Sequence, residues 1–251
     1  MIAVAGPLLI SQQLANQMHM ALRLRPPSAA HLLGTDQLGR DLLYRVLLGA
    51  RTSLTIAVSA VAISIAFGLP LGIVSGYVGG WLDSLLMRLV DAMLSFPALL
   101  LALTISAMLG PSVPNTIIAI GVAFTPFLAR LIRGEALRVA QMPYVEAARA
   151  AGATDFTMIV RQVLPNVMPL VIVQGTISLA FAILAEAGLS FLGLGTQPPQ
   201  SSWGLMIQAS RDYLDVAPWT ALVPGAAVAL TVLALNMFGD VLRDVLDPRA
   251  R

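Results

Sequence analysis

Few side chains in this 251-residue sequence are equipped for chemistry, and their spacing excludes most of it. There is no cysteine, so thiolate metal sites, Cys nucleophiles and disulfides are ruled out. Every basic residue is arginine; there is no lysine. A Walker A loop needs its lysine on the β/γ-phosphates, so any ATP hydrolysis must belong to another chain. The two histidines, His19 and His31, lie outside the long apolar stretches and form no His-Glu-x-x-His pair. Ser190, in Gly188-Leu-Ser-Phe-Leu192, does not make a nucleophile elbow. An enzyme working inside a membrane is therefore disfavoured, and no cofactor or metal of the chain's own is expected.

The polar residues that do form a pattern lie in Pro143-Tyr-Val-Glu-Ala-Ala-Arg-Ala-Ala-Gly-Ala-Thr-Asp155, continuing to Leu164-Pro165-Asn166. Pro143 suits the first turn of a helix, where a missing N–H costs nothing. Glu146 follows in the same turn, favoured by the helix dipole. Ala147, Ala148, Ala150 and Ala151 are strong helix formers with little bulk. Gly152 is placed to end the run. Asp155, after Thr154, is read as the cap of a second short helix that Leu164-Pro165 stops. The chemistry here is docking: two small-surfaced helices about a glycine turn, which another protein can approach closely. Tyr144, Glu146, Ala147, Ala148, Arg149, Gly152, Ala153 and Asp155 are the candidate contacts.

The rest of the chain must position that stretch. Only 11% of residues are charged and 57% are hydrophobic. Soluble domains carry about 25% charged residues, so several membrane spans are the natural reading. The formal charge of +2 leaves no electrostatic footprint for nucleic acid. Arg130, Arg133, Arg138, Arg149 and Arg161 make 134–165 and its approach basic. A basic loop between spans stays in the cytoplasm.

Four segments carry a family resemblance: Glu146-Ala-Ala with Gly152 and Leu164-Pro165, Leu33-Gly-Thr-Asp-Gln-Leu-Gly-Arg-Asp41, Glu186-Ala-Gly-Leu-Ser-Phe-Leu-Gly-Leu-Gly195 with Pro198-Pro199, and Asp240-Val-Leu-Arg-Asp-Val-Leu-Asp-Pro248. In this order they resemble the C-type permease (DppC/OppC-like) of ABC importers for dipeptides, oligopeptides and nickel. Gln162 departs from the aliphatic residue usual two places before the Leu-Pro. The resemblance covers nearly the whole chain. It implies an all-α polytopic membrane protein with the type I ABC importer fold. It implies four kinds of partner: a second, DppB/OppB-like permease; two DppD/DppF-like ATPase domains holding ATP and Mg; a DppA/OppA-like solute-binding protein; and the lipid bilayer of the bacterial cytoplasmic (inner) membrane. It also implies that the EAA loop forms coupling helices seated in a cleft of the ATPase. The cargo implied is di- or oligopeptides, with nickel complexes or heme as alternatives.

Taken in order, residues 1–10 are apolar but short of the ~20 that cross a bilayer. They read either as a truncated first span or as an interfacial piece. Residues 1–51 then supply an external loop and a short interfacial helix, Leu42 to Leu48. The transmembrane domain is read over 52–238, with the coupling loop at 134–165 and a cytoplasmic tail at 239–251. Full spans are expected over 52–76, 85–109, 116–133, 166–189 and 218–238, five in all besides the partial first. Pro70, Pro97 and Pro126 are expected to distort the helices that hold them. Tyr77, Trp81, Trp203, Tyr213 and Trp219 read as interfacial aromatics. Three intramembrane polar residues are pathway candidates, since such groups face a water path or pair with each other. Asp91 either pairs with Arg88 on its own helix or gates the pathway. Gln174 and Glu186 either line the pathway or bond between helices. A passive channel is the competing class, but no filter-like segment is evident and a channel needs no cytoplasmic dock.

Overall fold

The computed structural model describes residues 15–246. The partial first span expected over 1–10 lies outside the described residues, as do Arg249 and Arg251 of the tail. The described chain is mostly helical, with a loop before the first long helix, a single isolated bridge between Thr35 and Asp41 and no strand.

The first long helix, α1, is Leu42–Val78. Asp41 caps it, its carboxylate accepting the Leu43 N–H at 2.9 Å. At 1.5 Å per residue its 37 residues reach about 55 Å, well beyond the ~30 Å hydrocarbon core. The interfacial helix expected over 42–48 is thus not a separate element but the first turns of α1. Two of the arginines at this junction have partners close by. Arg40 pairs with Asp36 at 2.6 Å, and buried Arg45 donates to the Asn16 side-chain oxygen at 2.7 Å. Pro70 lies within α1 without ending it.

Gly79 and Gly80 both take positive φ and turn the chain into α2, Gly80–Leu94. Helix α3, Ala98–Leu109, follows at 86° to α2. The single span expected over 85–109 is therefore a bent pair. The bend falls at Ser95-Phe96-Pro97, where Pro97 has no N–H to continue the ladder and instead starts α3 as its N-cap residue. Ser112 caps α4, Val113–Ala140, and Pro126 lies inside α4.

The pair α1 and α4 is the spine of the molecule, and its closeness is written in small residues. A Cβ on Gly72 would lie 2.6 Å from the Ala129 carbonyl oxygen and 2.7 Å from Ile132; one on Gly76 would lie 2.6 Å from the Arg133 carbonyl oxygen. Backbones approach this closely only where side chains are absent.

After α5, Pro143–Ala150, helix α6 runs over Asp155–Phe191. Within α6, Ile159–Val163 is a π turn, and the Leu164 N–H reaches back five residues to the Ile159 carbonyl. Leu164-Pro165 was expected to stop one helix and start another. The π turn removes that need, because widening the ladder there takes up the place of the donor that Pro165 lacks. Helix α7, Trp203–Ser210, returns to the start of α1, and α8, Trp219–Leu246, closes the chain. Helix α8 does not end at 238, so the described part of the tail, 239–246, is its last two turns.

The buried apolar residues form two clusters. One, around Ile56, Ile120, Ile183, Leu189 and Trp203, lies towards α7; the other, around Tyr77, Ile132, Val145, Met158 and Val163, lies towards α5. Tyr77 and Trp203 were expected at a membrane surface, but both are buried here; Trp203 donates its indole N–H to the Val46 carbonyl at 3.0 Å. Trp81 is 77% exposed. Among the described residues four helices are long and apolar enough to cross a membrane, or five if the bent pair α2–α3 counts as one span. Leu222, Leu230, Leu233, Met237 and Phe238 leave α8 with a broad exposed apolar face.

Candidate coupling surface and polar interior

The segment from α5 to the start of α6 caps the end of the α1–α4 spine. Pro143 occupies the first turn of α5 and Glu146 follows on its exposed side. The helix ends in a Schellman arrangement: the Gly152 N–H bonds the Arg149 carbonyl at 3.0 Å and the Ala153 N–H bonds the Ala148 carbonyl at 3.2 Å. Gly152 has φ +86°, the left-handed conformation that only glycine adopts without strain. The second helix is capped by Thr154, whose hydroxyl accepts the Thr157 N–H. The cap thus falls one residue before the Asp155 expected, and Asp155 is free for another partner. The Tyr77 phenol donates to its carboxylate at 2.7 Å. The Arg149 guanidinium lies 5.4 Å from the centre of the Tyr77 ring. Its contact with Tyr77, helped by the nearby Asp155 and Glu146 carboxylates, raises its pKa further above its ordinary value, so it is a fixed charge.

Burial divides this segment cleanly. Val145 and Met158 are 1% exposed and Val163 is fully buried, so these side chains peg the segment to the ends of α1 and α4. Tyr144, Glu146, Ala147, Arg149, Ala150, Gly152, Asp155 and Phe156 are exposed, while Ala148 and Ala153 are half-buried beneath them. Phe156 is 76% exposed on the same face. Nothing lies within 4 Å of where a Gly152 Cβ would stand. The result is a surface of small side chains with an aromatic at each end, rigidly seated and open. Tyr77, Val145 and Phe156 were not singled out from sequence for this surface. No local signal marks the Tyr77 contact, which joins residues 78 apart.

The intramembrane polar residues fall into three different settings. Asp91 does not pair with Arg88. It pairs with Arg130 of α4, and both side chains are about half exposed. Asp83, one helical turn from the start of α2, takes Arg133 in a two-pronged bond, 2.6 Å on each arm. These two pairs clamp α2 across α4. Gln174 is half-buried and lines an open groove of about 360 Å³ with Met93, Phe96, Phe127, Ser178 and Phe181. Glu186 lines no opening. It is fully buried and accepts the Ser53 hydroxyl at 2.8 Å and the Ser190 hydroxyl at 2.7 Å. Its place among the pathway residues is thereby corrected: a carboxyl sealed between α1 and α6 is a bond between helices. The two hydroxyls in turn accept backbone N–H groups of Trp203 and Thr196, each at 3.2 Å, so this one side chain also ties down α7 and the turn before it.

The described residues contain no group of three or more His, Cys, Asp or Glu side chains able to hold a metal ion. The arrangement is an exposed small-residue face at one end, charged clamps beside it, and a sealed polar knot towards the other.

Comparison with known proteins agrees with this architecture. The chain is 43% identical over 251 residues to the dipeptide transport system permease protein DppC of Alkalihalophilus pseudofirmus, covering 100% of this chain and 82% of that one. It is 47% identical over 234 residues to the di/tripeptide transport system permease protein DppC of Pseudomonas aeruginosa, covering 91% and 77%. It is also 47% identical over 225 residues to the glutathione transport system permease protein GsiD of Shigella flexneri, covering 90% and 74%. Among solved structures, the inward-facing MetNI methionine ABC transporter shares the fold, with a TM-score of 0.69 at 18% identity over 82% of this chain and 98% of that one. An amino acid ABC transporter solved with histidines gives 0.62 at 14% identity, over 79% and 92%. Residues 68–251, which include α5, α6, α7 and α8, match the family described as the binding-protein-dependent transport system inner membrane component, and the chain belongs to that family.

Proposed function

We propose that this permease is one half of the membrane pathway of an ATP-driven importer of short peptides. The observation that carries the reading is the seated but uncovered surface of α5 and the start of α6. An exposed stretch of alanine, glycine and two aromatics, pegged through Val145 and Met158, suits a cleft in a partner better than it suits water. The partner is a cytoplasmic ATPase, since this sequence has no lysine for a phosphate loop. Tyr144, Glu146, Ala147, Arg149, Gly152 and Asp155 contact it, over Ala148 and Ala153. A second homologous permease completes the pathway and a solute-binding protein delivers the cargo. Peptides are favoured as cargo because the relatives named for dipeptides, di/tripeptides and glutathione are all similar to this chain at comparable identity.

In this reading the end bearing α5 is cytoplasmic, as is the C-terminus, and the end bearing α7 faces outward. ATP binding draws the two ATPases together and moves the docking face. Because that face is fixed to the ends of α1 and α4, the bundle tilts as a body and the accessible side alternates. Gln174 and Asp91 lie on open surfaces and remain the pathway candidates.

The absence of cysteine gives a direct test. Ala150→Cys supplies one thiol in this subunit. In inside-out vesicles a membrane-impermeant maleimide should label it, and the assembled ATPase should block that labelling. Labelling from the outside of intact cells would refute the orientation, and labelling indifferent to the ATPase would refute the dock. ATP-dependent uptake of a radiolabelled dipeptide by the purified complex tests the cargo.

A further inference from the structure

A cavity of about 280 Å³ opens beside the first turns of α1, against Pro199-Gln200-Ser201 and the start of α4. It is at the end away from the docking face. Its polar lining is Asn16, Arg51, Thr52, Thr55, Gln200 and Ser201, with no acidic residue among the lining side chains.

Several groups in this lining are free to donate hydrogen bonds. Asn16 spends its side-chain oxygen on the Arg45 guanidinium at 2.7 Å, which leaves its NH₂ group to donate. Ser201 is already committed to the Arg45 carbonyl at 3.0 Å. Thr104, Thr116, Thr125 and Thr231 return their hydroxyls to the carbonyl four residues back along the chain. Thr52 and Thr55 make no such bond among the described residues. Arg51 is exposed. Arg51 has no carboxylate within 4.0 Å among the described residues, which it shares with other exposed arginines such as Arg88 and Arg161; what distinguishes it is that it lines the cavity. The sequence of residues 1–14 contains no Asp or Glu. A guanidinium without a counter-charge, set among amide and hydroxyl donors in a concave site, takes a carboxylate, which matches its planar fork.

We propose that this cavity is an entry subsite that receives the carboxylate of the incoming solute, with Arg51 as its charge and Thr52, Thr55, Asn16 and Gln200 as its neutral donors. The assignment rests on the peptide-importer reading above, which places this end outward and supplies a cargo with a free C-terminal carboxylate. The subsite holds that group as the solute leaves its binding protein, before the pathway opens inward.

The test uses the whole complex, with cysteines removed from the other subunits. Thr55→Cys puts a thiol in the cavity, and its rates with anionic and cationic methanethiosulfonate reagents of similar size are compared. The anionic reagent should react faster by about tenfold, the scale of one nearby unit charge in a partly solvated site. Arg51→Gln should erase that preference and Arg51→Lys should keep it, while co-purification of the partner subunits shows that each variant assembles. A dipeptide with a free C-terminus should slow the labelling, and the same dipeptide amidated at its C-terminus should not. Equal rates for the two reagents, or a preference that survives Arg51→Gln, overturns the anion site. Equal protection by the amidated dipeptide, or protection by the solute-free binding protein alone, overturns the assignment to the solute carboxylate. Absence of ATP-driven dipeptide uptake by the unmodified complex overturns the peptide reading instead, and the reagent preference of Thr55→Cys still reports on the cavity.

Discussion

Tyr77, at the last turn of α1, donates its phenolic hydrogen to the Asp155 carboxylate at the first turn of α6, across 2.7 Å and 78 residues of chain. The bond fastens the start of α6, and with it the α5 segment, to the end of α1. Force applied to the segment therefore reaches α1 directly and does not have to pass through the chain of α5.

Tyr77→Phe removes the hydroxyl and keeps the ring under Arg149. A hydrogen bond to a charged group contributes about 1.5–3 kcal/mol, too little to unfold a well-packed bundle but enough to loosen one joint. The expected outcome is intact assembly with several-fold more ATP hydrolysed per peptide imported. Measuring ATP turnover and uptake on the same proteoliposomes checks it, and an unchanged ratio would remove this bond from the coupling path.

Gly152 and Gly134 form a matched pair, because a Cβ on either would meet nothing within 4 Å. They differ in backbone. Gly134 lies within the α4 helix, while Gly152 has φ +86°. Gly152→Ala should cost about 1–2 kcal/mol locally and weaken ATPase docking, since an L residue is strained there. Gly134→Ala should be neutral or stabilising by up to about 1 kcal/mol. Thermal unfolding and ATPase co-purification of the two variants read the contrast. A harmless Gly152→Val would show that the Schellman turn is dispensable.

Glu186→Leu leaves the Ser53 and Ser190 hydroxyls buried without their acceptor. Each unsatisfied group costs about 1–3 kcal/mol, so the variant should be among the least stable single substitutions in the bundle. Adding Ser53→Ala and Ser190→Ala should not recover the loss, because the Trp203 and Thr196 N–H groups then lose their acceptors in turn. Melting temperatures in detergent decide this. A triple variant clearly more stable than Glu186→Leu would show that those two N–H groups do not depend on the hydroxyls.

The two clamps on α2 should differ in weight. The two-pronged Asp83–Arg133 pair is mostly shielded, with side chains 16% and 31% exposed, whereas Asp91 and Arg130 are 59% and 49% exposed. Asp83→Ala is expected to cost about 2–3 kcal/mol, as for a hydrogen-bonded charge largely shielded from solvent. Asp91→Ala is expected to cost under about 1 kcal/mol. If Asp91→Ala nevertheless cuts uptake while stability holds, Asp91 acts in the pathway. If uptake and stability are both unchanged, it is a surface pair and nothing more.

Local patterns in the sequence determined the helical class, the several apolar spans, the bend at Pro97 and the α5–Gly152 turn. Each of these depends on residues within a turn or two: a run of side chains that avoid water, a proline without its N–H, a glycine that alone tolerates positive φ. The glycines at 72 and 76 could be read as small, but not as touching Ala129, Ile132 and the Arg133 carbonyl. Tertiary structure alone decided which polar groups meet. Arg45 found Asn16, Asp91 found Arg130 in place of Arg88, Tyr77 found Asp155, and Glu186 turned inward to two serines. A buried charge or hydroxyl must be satisfied by whatever the packing brings within about 3 Å, and that partner is set by how helices cross and not by how far apart residues stand in the chain.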